Sequence, residues 1–120
     1  FADTGVPFTV QHGALAALRA HAAWVPANVE VFRQRRDMMV GALRAAGYDV
    51  ASPCATMYLW VPVPRGEASE PFALRLLMEH GVAVMPGSAL GPGGEGFFRI
   101  ALTSPEARLC EAAERLGRMR

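Results

Sequence analysis

The chain has 120 residues, of which 52% are hydrophobic and 19% charged, and its formal net charge is +1. That length favours a single domain, since two separate cores would each be marginal. The low charge and high apolar fraction argue against intrinsic disorder. The near-neutral balance gives no electrostatic reason to expect nucleic acid or a membrane surface as a partner.

The basic residues are all of one kind, because the 12 of them are arginines and lysine does not occur. Chemistry that needs a lysine amine, such as a Schiff base or a Walker A phosphate contact, is therefore excluded within these residues. Arginine cannot replace it, since the guanidinium stays protonated and is a poor nucleophile.

The chain starts at Phe1 rather than Met, from which we expect that something upstream was removed or left out. No intact signal peptide is visible, and no apolar run reaches the roughly 18 residues of a membrane span. Cys54 and Cys110 match no metal spacing, and the three histidines share no ligand spacing either. We therefore expect no metal site and two free thiols in a reducing compartment, the cytoplasm.

The first part of the chain predicts two helices. Residues 7–23 carry apolar side chains at helical spacing, and residues 24–26 (Trp-Val-Pro) are expected to end that helix. A long helix follows over residues 28–46, with Gly47 as its C-cap. We interpret the basic stretch of residues 33–37 as a solvated face with local ion pairs rather than an anion site.

The second part predicts three short strands and two helices in alternation. The predicted strands are residues 57–63, 82–85 and 97–102. The predicted helices are residues 69–80, with Ser69 as N-cap and Gly81 at its end, and a helix starting at Ser104-Pro105-Glu106 and ending near Gly117. This order predicts an α+β fold in which a small three-stranded sheet has helices packed on one face, preceded by the long helix.

A glycine-rich stretch, PGSALGPGGEG over residues 86–96, is expected to be a loop without structure of its own. It lacks the GxGxxG order and precedes a strand rather than a helix. We therefore reject it as a dinucleotide-phosphate cradle.

Arg99 lies in the middle of an otherwise apolar strand, FFRIAL, on the same face as Phe97. A guanidinium there is costly unless it is paired, and its planar fork of donors matches a carboxylate. The carboxylate could belong to a ligand, or to Glu95 or Glu79 in a structural salt bridge. The residues alone leave both interpretations open.

Three stretches of the chain resemble the C-terminal third of a class I/II aminotransferase, a fold type I enzyme dependent on pyridoxal phosphate. They are FRQRRDMMVGALRAAGYDV, ATMYLWVPVP and HGVAVMPGSALGPGGEGFFRIALTSPEARLCEAAERL. The opening TGVPFTVQHGALAAL is similar to the segment that follows the cofactor-binding lysine in that family. Within the family, ATMYLWVPVP is most similar to the branch that acts on diaminopimelate and succinyl-diaminopimelate.

The resemblance implies that residues 1–27 are a remnant of the large cofactor domain and its linker helix, and that residues 28–120 are the C-terminal small domain. It places Arg99 on the substrate α-carboxylate and makes Tyr58, Met57 and Gly87 further substrate-binding candidates. It implies no catalytic and no cofactor-binding residue in this chain, because the Schiff-base lysine has no counterpart. Pyridoxal phosphate would be bound by the intact parent enzyme, and the fragment alone is expected to be inactive.

The implied activity of the parent is amino-group transfer between an amino acid and a 2-oxo acid, in a cytoplasmic homo-oligomer. The alternative is a stand-alone, non-catalytic α+β module that binds a ligand or dimerises. A lysine upstream in the same reading frame would distinguish the two.

Overall fold

The computed structural model describes residues 5–119. They divide into two units, one ending at Val31 and the other beginning at Phe32. The helices of this part of the chain are α1 (Phe8–Arg19), α2 (His21–Ala45), α3 (Ser69–His80) and α4 (Glu106–Gly117). The strands are β1 (Tyr58–Pro62), β2 (Met85–Pro86) and β3 (Phe97–Ala101).

The first unit consists of α1 and the start of α2, and none of the side chains of α1 is buried. The predicted break at residues 24–26 is wrong: the helix is interrupted at Ala20, and Pro26 lies inside α2. Pro26 is the sixth residue of α2, so it lacks the N–H that would bond the carbonyl of Ala22, and its presence costs the helix one backbone hydrogen bond. The indole Nε1 of Trp24 donates to the carbonyl of Ala17 at 3.2 Å, across the interruption.

The sheet of the second unit is antiparallel, with β3 in the centre and the order β1-β3-β2. Side chains alternate along each strand, so Leu59, Val61, Phe98 and Ile100 face inward and are buried. They form one core with apolar side chains of α2, α3 and α4, among them Leu43. The predicted α+β class, with helices on one face of a three-stranded sheet, is confirmed.

The second strand is shorter and lies later in the chain than residues 82–85. The N–H of Val82 donates to the carbonyl of Leu76 at 3.4 Å, as part of the C-terminal cap of α3, so pairing with β3 begins only at Met85. Pro86, expected in the loop, is the last residue of the ladder and pairs with Phe98. A proline has no N–H with which to continue it.

The glycine-rich stretch is not without structure, contrary to the prediction. It contains two short 3₁₀ turns, Gly87–Leu90 and Pro92–Gly94. The backbones of Gly87 and Gly94 lie in contact, because a Cβ atom built on Gly87 would fall 1.9 Å from the carbonyl oxygen of Gly94. Only residues without a side chain allow this approach, so the two glycines let the loop close on itself.

The helix ends are predicted better on the C-terminal than on the N-terminal side. Gly47 and Gly81 adopt left-handed conformations after α2 and α3, as expected. The N-cap positions of α3 and α4 are instead Ala68 and Pro105, and neither has a capping side chain of its own. The first N–H of α3 is bonded by a residue from a distant loop.

Candidate functional site

The outward face of the sheet carries the residues that the sequence singles out. Alternation places Tyr58 and Trp60 of β1 beside Phe97 and Arg99 of β3, away from the core. These side chains line an open pocket of about 450 Å³. The rest of its wall comes from the segment before β1 and from the strands. The further lining residues are Asp49, Ala51, Pro53, Thr56, Leu59 and Pro62.

Arg99 is half-buried on the central strand, opposite Trp60 on one side and Met85 on the other. Its guanidinium carbon lies 4.2 Å from the centre of the Tyr58 ring, which is a cation–π contact. Within residues 5–119 it makes no ion pair and no hydrogen bond. None of the described residues therefore occupies the donors of the guanidinium at the pocket.

Neither of the two carboxylates considered as internal partners of Arg99 pairs with it in the described residues. Glu79 approaches His80, with 4.0 Å between its Oε2 and the imidazole Nε2. Glu95 bonds the start of α3. The structural salt bridge is thus not formed in the described residues.

The aromatic wall of the pocket is a stacked pair, Trp60 and Phe97, whose ring centres are 5.5 Å apart at an interplanar angle of 14°. Trp60 is 38% exposed, so a large apolar surface lies open beside a cation. Such a surface can exclude water from a bound anion and strengthen its attraction to the guanidinium. The sequence did not indicate this pair, because stacking depends on strand register.

The segment that enters β1 carries backbone strain. Thr56 has a φ of 78°, a left-handed conformation that β-branched residues rarely adopt. After it, the carbonyl of Met57 accepts the N–H of Leu102 at 2.8 Å and extends the β1–β3 pairing by one bond. Strained residues of this kind are concentrated at functional sites.

The predicted site residues do not all come together. Tyr58 and Arg99 line the pocket, whereas Met57 and Gly87 are not part of its wall. Met57 is 41% exposed and lies immediately before β1. Gly87 is buried against Gly94 in the glycine-rich loop.

Hydrogen bonds made by Glu95 and Ser69 hold that loop to α3, and no pattern in the sequence predicted them. Glu95 accepts from the backbone N–H of Ser69 at 2.7 Å, from the Ser69 hydroxyl at 3.2 Å and from the N–H of Gly96 at 2.9 Å. The Ser69 oxygen in turn accepts the N–H of Ser88 at 3.2 Å. The only available signal was that Glu95 is the sole acid in a stretch of glycines.

These bonds lower the pKa of Glu95 from its ordinary value of 4.5. The largest cause is the backbone N–H of Ser69, followed by that of Gly96, whereas burial acts in the opposite sense. Both N–H groups favour the ionised carboxylate, and the one at Ser69 also lies at the positive end of α3.

The basic stretch of α2 makes two local ion pairs and one long-range hydrogen bond. Arg33 and Arg36 both pair with Asp37, at 3.2 Å and 2.7 Å. These pairs agree with the interpretation as a face with local ion pairs. Arg35 instead donates to the carbonyl of Leu102 at 3.0 Å.

Residues 5–119 contain no group of three or more histidine, cysteine or acidic side chains that could hold a metal ion. None of the helices among them has the length and hydropathy needed to cross a bilayer.

Comparison with known proteins gives a consistent result. Residues 5–116 match the family described as aminotransferase class I and II. The LL-diaminopimelate aminotransferase of Desulforudis audaxviator is 45% identical over 114 residues, which are 95% of this chain and 29% of that protein. The enzyme of the same name from Nitratidesulfovibrio vulgaris Hildenborough is 43% identical over 98% of this chain and 30% of its own length.

Solved structures show the same likeness in three dimensions. An aminotransferase from Staphylococcus aureus superposes with a TM-score of 0.88 at 30% identity, over 98% of this chain and 31% of the other. A probable N-succinyldiaminopimelate aminotransferase from Thermus thermophilus has a TM-score of 0.68 at 46% identity, over 73% and 23%. The chain thus spans less than a third of the length of these proteins. The predicted resemblance to class I/II aminotransferases, including the diaminopimelate branch, is confirmed.

Proposed function

Because the chain belongs to the aminotransferase class I and II family, we propose that it forms the C-terminal small domain of such an enzyme and binds the α-carboxylate of the substrate through Arg99. In this proposal residues 28–120 are the small domain, and residues 1–27 are a remnant of the large cofactor domain. The whole enzyme would transfer an amino group between an amino acid and a 2-oxo acid, as a cytoplasmic homo-oligomer.

The observation that carries the proposal is the state of Arg99. Its guanidinium is half-buried at an aromatic pocket, and no carboxylate among the described residues pairs with it. A fork of donors in such a place suits a bidentate carboxylate, for which the aromatic surface lowers the competition from water. An amino acid or a 2-oxo acid presents that group.

The names of the relatives support a substrate class. Those with 43–45% identity carry the name LL-diaminopimelate aminotransferase. We propose that this chain serves an amino acid of the diaminopimelate type. Met57, Tyr58 and Gly87 would border the bound substrate, Met57 through its exposed side chain and Gly87 through the closely packed loop.

Aminotransferases of this family use pyridoxal phosphate. The residues of this chain do not fit its covalent attachment, because lysine is absent from all 120 of them. In this proposal the chain contributes no catalytic residue, and on its own it is inactive. Its own residues bind and orient the carboxylate and shield it from water.

The experiment begins with the reading frame upstream of Phe1. We expect the cofactor-binding lysine to be encoded there. We also expect the full-length protein to transfer amino groups from an amino acid to a 2-oxo acid. The 120-residue chain alone, tested in parallel, should show no turnover. A gene that encodes only these residues would favour the stand-alone binding or dimerisation module. Turnover by the isolated chain would refute the division of roles.

A further inference from the structure

The contact between Arg99 and Tyr58 differs from the other arginine–aromatic contacts of the described chain. Arg35 and Arg75 lie 5.6 Å and 5.8 Å from their rings, and each also bonds a polar group, a backbone carbonyl or a carboxylate. Arg99 lies at 4.2 Å, and within residues 5–119 the ring is its only such partner. Among the described residues, the ring face is therefore what locates this guanidinium before any ligand arrives.

The position of the Tyr58 ring is itself well determined. Tyr58 is the first residue of β1, half-buried and paired with Ala101. The extra bond from Leu102 to Met57 fixes the backbone immediately before it. Because its backbone is held by these bonds, the Tyr58 ring can keep the flexible side chain of Arg99 in one position.

We infer that Tyr58 is a positioning residue: its ring face preorganises the guanidinium of Arg99 for the substrate carboxylate. This rests on the proposed function of Arg99. An arginine side chain has many rotamers, and ordering it on binding costs affinity. A ring that already holds the guanidinium removes part of that cost. The effect needs the aromatic face and not the hydroxyl group.

Kinetics of the full-length enzyme test the inference. Tyr58→Ile keeps a strand-forming side chain but removes the ring, and we expect the KM for the amino acid to rise about tenfold. The kcat should change by less than about threefold, because binding rather than chemistry is impaired. Tyr58→Phe keeps the ring face, and its KM should rise clearly less than that of Tyr58→Ile.

A matched control removes another ring that contacts an arginine. Phe32→Leu takes the aromatic face from Arg35, which lies outside the pocket, and the KM should not change. If Tyr58→Ile leaves KM unchanged while Arg99→Gln raises it, the inference is wrong and the proposed function stands. If Arg99→Gln also leaves KM unchanged, the proposed function fails. A Tyr58→Phe variant as impaired as Tyr58→Ile would also overturn the inference.

A second measurement needs no variant and no activity. In the 120-residue chain, the NMR signal of the Arg99 Nε–H proton should be shifted upfield by the ring current of Tyr58. The corresponding signal of Arg35, whose ring is farther away, should be shifted less. An Arg99 signal at the position typical of a solvated arginine would overturn the inference.

Discussion

The carboxylate of Glu95 caps the N-terminus of α3 by accepting the backbone N–H of Ser69 at 2.7 Å. The two residues are 26 positions apart, so the loop that contains Glu95 supplies the cap that α3 lacks in its own sequence. The same loop leads directly into β3, the strand of Arg99. Glu95 therefore connects a helix end to the start of the strand that carries the site.

The pH dependence of stability should reveal this cap. The pKa of Glu95 is lowered below 4.5 in the folded chain, so the unfolded chain takes up its proton first as pH falls. The stabilisation is therefore complete above about pH 4.5 and is lost as pH falls through the lower, folded value. Urea denaturation from about pH 7 to about pH 3 should show wild type more stable than Glu95→Gln at the upper end, with the difference shrinking towards the lower end.

Glu114→Gln serves as the control, because Glu114 is an exposed carboxylate on α4 with no hydrogen bond or ion pair within the described residues. It should show little difference from wild type at either end of the range. A Glu95→Gln difference that is constant with pH would contradict the assignment.

The close approach of Gly87 and Gly94 makes a second prediction. A Cβ on Gly87 would meet the Gly94 carbonyl oxygen at 1.9 Å, and this is backbone that a side-chain rotation cannot relieve. We expect Gly87→Ala to lower the free energy of unfolding by at least about 2 kcal/mol.

Gly93→Ala is the matched control in the same loop, since its Cβ would meet nothing within 4 Å. It should leave the free energy of unfolding within about 0.5 kcal/mol of wild type. Equal stability of the two variants in urea would show that the loop is not closed by this contact.

The exposed apolar side chains of α1 predict self-association of the chain. Leu15 and Leu18 are 43% and 71% exposed, three residues apart on one side of the helix. Apolar patches of this kind favour association in water. Static light scattering should give a mass above that of a monomer, and replacing both leucines with glutamate should lower it.

The corresponding control is the double replacement of Leu74 and Met78 on α3 with glutamate. These side chains are 60% and 76% exposed and lie one helical turn apart, so the change in charge and apolar area is similar. If that variant loses the association and the α1 variant keeps it, the interface does not involve α1. A monomeric wild type would contradict the prediction altogether.

Much of the second unit was predictable, because its signals are local. The alternation around Arg99 and the glycines after α2 and α3 act over a few residues, and they indicated the strands and the helix ends. Arg99 itself was recognisable because a charge among apolar strand residues requires an explanation.

The errors have a physical cause in common, which is that a distant partner decides the outcome. Ser69 is a residue type that favours the N-cap position, yet the carboxylate of Glu95, from a distant loop, caps α3. Val82 has strand character, yet its N–H is used by the end of α3. A proline ends most helices, but at Pro26 the loss of one backbone hydrogen bond did not outweigh the stability of the rest of α2. The stacking of Trp60 required the strand register, which no local pattern contains.

The most direct test of the account is the effect of Arg99→Gln on two substrates of the full-length enzyme. One is a monocarboxylic amino acid, and the other is its decarboxylated amine, with Arg108→Gln on the exposed surface of α4 as the control variant. We predict a fall of about 100-fold in kcat/KM for the amino acid, mainly through KM, and no change for the amine, because only the amino acid has the carboxylate. An unchanged KM for a monocarboxylic amino acid in Arg99→Gln would contradict the account.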